Sequence, residues 1–171
     1  MIDSTTKKWF VARTRHSQEL AIADRLSELG IEHFVPTRKE FRIRRGKRVR
    51  LDVPAIANMV FIKATKQDAC ALANGHGLPI YYIVDHSTRY MLEVPNKQME
   101  DFRRIIETQP DSISQDIPLV PGQKVRVIAG ELAGVEGEII STSEGDNLVV
   151  TIGRILCARV HIKSSDVEAI N

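Results

Sequence analysis

The chain has 171 residues, 43% of them hydrophobic and 27% charged, a globular composition with room for one medium domain or two small ones. Its longest apolar runs, such as Met59–Ile62, are too short to cross a bilayer, and the N-terminus lacks the apolar stretch of a signal peptide. Two cysteines, Cys70 and Cys157, make neither a disulfide framework nor a zinc site, and the net charge of +2 says little about partners, so the expectation is a cytoplasmic protein.

After a polar tail over residues 1–7, Trp9–Arg15 (WFVARTR) predicts a strand. Ser17 or a neighbour is then expected to cap a helix through about Leu29, with Ile22, Leu26 and Leu29 at helical spacing and Gly30 as its stop. Ile31–Ile43 is extended, Arg45-Gly46-Lys47 forms a turn, and Arg48–Val53 returns as the second arm of a hairpin. Ala55–Lys63 reads as a buried strand, and Thr65–Asn74 as a helix ended by Gly75, Gly77 and Pro79. Tyr81–Val84 and Tyr90–Val94 are strand candidates. Met99, Phe102, Ile105 and Ile106 mark the apolar face of a helix between Pro95 and Pro110. The order is that of an α+β domain over residues 8–108, with helices covering an antiparallel sheet.

Residues 109–117 are polar and proline-flanked and read as a linker. Beyond them come five short runs, Lys124–Ile128, Val135–Ile140, Leu148–Ile152, Arg159–Ile162 and Val167–Ile170, with glycines 130, 134, 137, 145 and 153 between or within them. Such spacing predicts a second domain over residues 118–171, a small five-stranded β-barrel.

Charge is unevenly placed. Pro36–Arg50 (PTRKEFRIRRGKRVR) holds eight basic residues and one acid, a local +7 that leaves −5 for the rest of the chain. A basic block on a mildly acidic body is the pattern of a directed contact with phosphate, although a charged hairpin also guards an exposed strand edge against aggregation. Residues 118–171 carry −2 against +4 for residues 1–117.

Within PGQKVRVIAGELAGVEGEII, the residues Gly122, Val125, Val127, Gly130, Gly134, Gly137 and Ile139 stand at the spacing of a KOW motif. The physical content is a strand, a glycine-rich tight turn and a second strand, the glycines allowing positive φ and close backbone approach. Upstream, WFVARTR followed by a helix, an Arg-Gly-Lys-Arg hairpin and a strand entered by an apolar patch resembles the N-terminal domain of the NusG family of transcription elongation factors. The resemblance spans about residues 8–171. Ile43-Arg44-Arg45-Gly46-Lys47-Arg48 is similar to the hairpin of the specialised RfaH-like and UpxY-like antiterminator branch. Where the family reads Phe-Pro-Gly-Tyr or Phe-Pro-Asn-Tyr, this chain has Ile56, Ala57, Asn58 and Met59.

The resemblance implies a transcription elongation or antitermination factor that grips the clamp coiled coil of RNA polymerase through Ile56, Ala57, Asn58 and Met59. Arg15, His16 and Arg25 fall where the specialised branch presents residues to the non-template DNA strand. Arg42, Arg44, Arg45, Lys47 and Arg48 would approach upstream duplex or nascent RNA by a salt-sensitive phosphate contact. Gly130, Gly134 and Gly137 would form the KOW turn. The resemblance also implies a ribosomal protein or termination factor as a partner of the KOW domain, although near the chain's end the family's Phe-Gly-Arg is Ile152-Gly153-Arg154, without the aromatic anchor. The alternative is a ribosome- or rRNA-associated KOW protein, which would not require the upstream α+β domain.

No phosphate-loop, dinucleotide, nucleophile-elbow or paired-histidine metal motif is present, and no cofactor or metal is expected. Cys70 in DACALA reads as a small buried packing residue rather than a nucleophile. His76 and His86 have no ligand at usable spacing, and strand alternation turns His161 outward. The expectation is a monomeric binding protein and not an enzyme.

Overall fold

A computed structural model describes residues 5–171, so the expected tail over residues 1–7 lies mostly outside the described residues. The chain forms two compact units, one ending at Pro95 and one running Asn96–Asn171.

The N-terminal unit is built around β1 (Lys8–Thr14). This strand pairs antiparallel with β5 (Met59–Ala64) on one edge and with β6 (Ile80–Tyr82) and β7 (Glu93–Val94) on the other, while β2 (Glu32–Phe34) extends the sheet beyond β5. Alternation sends Phe10, Ala12, Val60, Ile62 and Ile80 to one face. There they meet Ile22 and Leu26 of α1 (Glu19–Glu28) and Ala69 and Leu72 of α2 (Lys66–Asn74) in one buried cluster. The other face is apolar too, with Trp9, Val11, Met59 and Phe61 all buried. A strand buried on both faces reads as a continuous apolar run, which WFVA is.

The helix ends follow from local chemistry. Gly30 takes φ +70 just past α1; its N–H donates to the Ser27 carbonyl and that of Ile31 to the Leu26 carbonyl, closing the carbonyls of the last turn. At the start of α1 the expected serine cap is absent. Ser17 lies in the left-handed region at φ 52, and Gln18 occupies the cap position without a side-chain bond. Thr65 caps α2 by accepting the Asp68 N–H.

The segment read as one extended run breaks at Val35-Pro36. Its first part joins the main sheet as β2, and its second is β3 (Thr37–Arg44), paired only with β4 (Lys47–Pro54) in a separate two-stranded sheet. The turn is two residues, Arg45 at φ 51 and Gly46 at φ 76, the twist that matches a right-handed ribbon.

In the C-terminal unit α3 (Asn96–Thr108) packs on β11 (Gly145–Ile152) and β12 (Leu156–His161). The five runs read from the sequence are all strands: β9 (Gln123–Val127), β10 (Glu136–Thr142), β11, β12 and β13 (Val167–Ala169). A small five-stranded barrel is the expectation, and no closed barrel forms among the described residues. The sheet is an open six-stranded ladder in the order β13-β9-β10-β11-β12-β8. Its extra strand, β8 (Ile113–Ser114), comes from the segment read as a linker and occupies the edge of β12 that a closing strand would need. Pro110–Ser112 forms a short 3-10 turn before it, and the Asp116 carbonyl accepts from Arg159 Nη2 at 3.2 Å. The helix assigned from sequence to the first domain thus groups with the second unit, joined by Asp101, whose buried carboxylate accepts from Lys97 Nζ (2.8 Å) and the Glu136 N–H (3.1 Å).

Gly130 (φ +83) and Gly134 (φ +92) bound the turn between β9 and β10. Gly137 serves close approach instead: a Cβ there would lie 2.6 Å from the Val149 carbonyl oxygen on β11. Gly137→Ala is expected to destabilise the protein by about 1–3 kcal/mol through forced separation of β10 and β11. A lowered urea midpoint at unchanged m-value checks this.

Candidate nucleic-acid interface

One end of the main sheet gathers two of the sequence-predicted groups. Arg15 and His16 are exposed in the turn between β1 and α1. Beside them runs the loop between β4 and β5, which holds Ile56, Ala57 and Asn58. The Asn58 carbonyl accepts from the Thr14 N–H at 3.0 Å, and the Asn58 N–H donates to Glu19 Oε1 at 2.5 Å. Glu19 is 3% exposed and stands in the first turn of α1, where a negative charge is favoured by the helix dipole. Its carboxylate fixes the loop to the helix, and Asn58 accommodates the bend at φ 61, a region asparagine tolerates better than most residues.

This anchoring changes how the apolar patch must be read. Met59 is fully buried as the first residue of β5, and Ile56 is only 7% exposed. Neither presents a side chain at the surface; both support the loop from beneath. Ala57 is exposed and Asn58 half-buried, so those two form the accessible tip. Arg25 is exposed on α1 and lies 3.9 Å from Glu28, a surface pair worth at most about 1 kcal/mol.

The hairpin joins this loop through a bond from the Ala55 N–H to the Pro36 carbonyl (2.7 Å). Its register divides the basic residues between two faces. Arg42, Arg44 and Lys47 share one face with Arg38, Val49, Leu51 and Val53, and the three aliphatic side chains there are half-buried. Arg48 lies on the opposite face with Phe41, Ile43 and Arg50, and Arg45 sits in the turn. Two hairpin cations are neutralised, Lys39 by Asp52 and Arg42 by Glu40. Arg38, Arg44, Arg45, Lys47, Arg48 and Arg50 have no carboxylate partner among the described residues. Unpaired cations on a protruding ribbon suit a polyanion, whose condensed counterions are released on binding.

Sequence reasoning passed over Phe41, Arg50 and Glu19. A two-residue turn at Arg45-Gly46 sets Phe41 opposite Arg50, so a stricter turn assignment supplies that signal. Glu19 has none, because its partner Asn58 is 39 residues away. Gly130, Gly134 and Gly137 belong to the C-terminal unit.

Cys70 is exposed, contrary to the reading of a buried packing residue, because it falls on the outer side of α2 next to buried Ala69. Cys157 is buried, and desolvation pushes its thiol above the usual range. Among the described residues no group of three or more His, Cys, Asp or Glu could hold a metal ion, and no helix is long and apolar enough to cross a membrane.

A central strand flanked on both edges by antiparallel partners carries two helices on one face, with a basic ribbon beside a helix-anchored loop, the make-up of a binding module. The model of the family described as Transcription termination factor nusG matches residues 7–103. The chain belongs to the NusG family of transcription elongation and termination factors. No curated protein matches it.

Two outcomes check the site's anatomy. Glu19→Ala leaves the Asn58 N–H without its acceptor and is expected to lower stability by about 1–3 kcal/mol, with faster hydrogen exchange at Asn58. A thiol reagent near neutral pH is expected to label Cys70 in the native protein and to reach Cys157 only after unfolding, since the buried thiol offers little thiolate below its raised pKa.

Proposed function

We propose that this chain is a specialised NusG-family factor, of the RfaH-like or UpxY-like antiterminator kind, that binds the RNA polymerase clamp and favours processive elongation. Family membership over residues 7–103 is the observation that carries the reading. The loop tip at Ala57 and Asn58 is the proposed clamp contact. Its support is the exposure of Ala57 on a loop held rigid by Glu19, since a preorganised loop loses little freedom on binding. Ile56 and Met59 act as its buried footing. Arg15, His16 and Arg25 face the non-template strand, and the unpaired hairpin cations meet upstream DNA or nascent RNA.

Preference for the closed, elongating polymerase is differential binding: the factor stabilises the conformation it fits, and pausing conformations are depopulated in proportion. The C-terminal sheet, with its KOW-type turn at Gly130 and Gly134, is the proposed recruiter of a second protein. The Ile152-Gly153-Arg154 segment supports a partner other than those held by an aromatic anchor, because Ile152 is fully buried and Gly153 and Arg154 are exposed.

The test is retention of core bacterial RNA polymerase by the full chain at low and moderate salt. Binding that survives salt and falls at least about tenfold with Ala57→Asp, a loss near 1.4 kcal/mol, is the expected result for an apolar clamp contact. Binding to polymerase that salt abolishes, alongside tight binding to isolated rRNA, is the result expected of the ribosome-associated alternative. Met59→Asp is unsuitable as a probe because a charge at that buried position unfolds the sheet.

A further inference from the structure

We infer that the Phe41 face of the hairpin is a stacking platform for unpaired bases, so that the ribbon binds single-stranded nucleic acid in preference to duplex. The inference rests on the proposed nucleic-acid role of the hairpin and adds to it the class of strand and the face that takes it.

Four observations support it. Phe41 is 55% exposed and Ile43 79% exposed, on a ribbon whose other large aliphatic residues, Val49, Leu51 and Val53, turn to the opposite face and are half-buried. An exposed aromatic on a charged ribbon contributes nothing to a core. Second, the guanidinium carbon of Arg48 lies over the Phe41 ring, 4.1 Å from its centroid, and that of Arg50 over it at 5.8 Å, which orders the ring; an incoming base stacks on the Arg48 guanidinium plane or takes its place on the ring as the arginine moves to a phosphate. Neither arginine has a carboxylate partner among the described residues, so both remain able to meet phosphates. Third, β3 and β4 pair only with each other, leaving this face without a covering layer in their own sheet. Fourth, the charge of the segment is complementary to a polyanion, at +7 over Pro36–Arg50.

Cations interleaved with an aromatic have a definite consequence. Phosphates are met on single and double strands alike, with the duplex favoured somewhat by its higher charge density, whereas a ring can take a base only if that base is already out of its stack. The Phe41 face therefore adds affinity on unpaired strands alone. The Arg42, Arg44 and Lys47 face supplies a contact indifferent to strandedness. Every base has a π-face, so the preference is for unpaired bases and not for a sequence.

The experiment measures binding of the full chain to fluorescein-labelled strands of about 15 nucleotides: thymidylate DNA, uridylate RNA, an abasic DNA strand and a DNA duplex of the same length, at several salt concentrations. Tighter binding of the base-bearing strands than of the abasic strand or the duplex is expected. Phe41→Ala should weaken the base-bearing strands about tenfold, leave abasic and duplex binding unchanged and preserve the salt slope, while Phe41→Trp should keep the wild-type preference. Arg44→Ala with Lys47→Ala should weaken all four probes and lower the salt slope. Comparison of the thymidylate and uridylate arms identifies DNA or RNA as the favoured source. Equal binding of all probes with no effect of Phe41→Ala overturns the stacking platform and leaves the hairpin's phosphate contact standing. Failure of the wild-type chain to bind any probe overturns both.

Discussion

β1 is the strand on which the N-terminal unit depends. It hydrogen-bonds along both edges, to β5 on one side and to β6 and β7 on the other, and Trp9, Phe10, Val11 and Ala12 are all buried. The middle of such a strand has no solvent-facing side, so each of Trp9–Ala12 is committed to packing. The same commitment fixes what happens at its end. Thr14 is the last residue the sheet holds, and the chain must leave it in a turn whose side chains, Arg15 and His16, have nowhere to go but solvent. The exposed basic side chains are in this sense a product of the buried strand before them.

The hairpin is the converse case. Its residues are too charged to be buried on either face, and β3 and β4 accordingly stay outside the five-stranded sheet. An isolated two-stranded ribbon is marginal in water, and here the left-handed pair Arg45-Gly46, the cross-strand Lys39–Asp52 pair and the Arg48–Phe41 contact support it. No residue of the ribbon belongs to the buried core. A binding element built that way couples a rigid scaffold to an adaptable surface.

In the C-terminal unit the helix α3 does for the sheet what β1 does for the first. Lys97 and Arg104 donate to the carbonyls of Gly134, Ala133 and Glu131, and Asp101 accepts from the Glu136 N–H. The turn with two positive-φ glycines would otherwise leave these backbone groups to water, and a glycine-rich turn has the most freedom to lose on folding. Side chains from one helix thereby order the segment that most needs ordering.

Much of this was legible in the amino-acid order. The apolar run of β1, the Gly30 stop, the place of the hairpin turn, the span of α3 and the five strands after residue 118 follow from short-range rules of period, turn chemistry and φ preference; the structure has them all, with the turn one residue shorter than read because Lys47 pairs with Arg44. Accessibility and edge pairing were not legible. Ala55–Lys63 reads as a buried strand, yet the resemblance puts Ile56 and Met59 in a polymerase contact and both are buried; Cys70 reads as buried and is exposed, and a segment read as a linker supplies an edge strand of the sheet. The anchored loop and the edge strand depend on partners far along the chain, Glu19 for Asn58 and Cys157 for Ser114. Local sequence determines which elements form and where they turn. Only tertiary structure decides which of their residues face water, because that is set by whatever distant segment reaches the same place first.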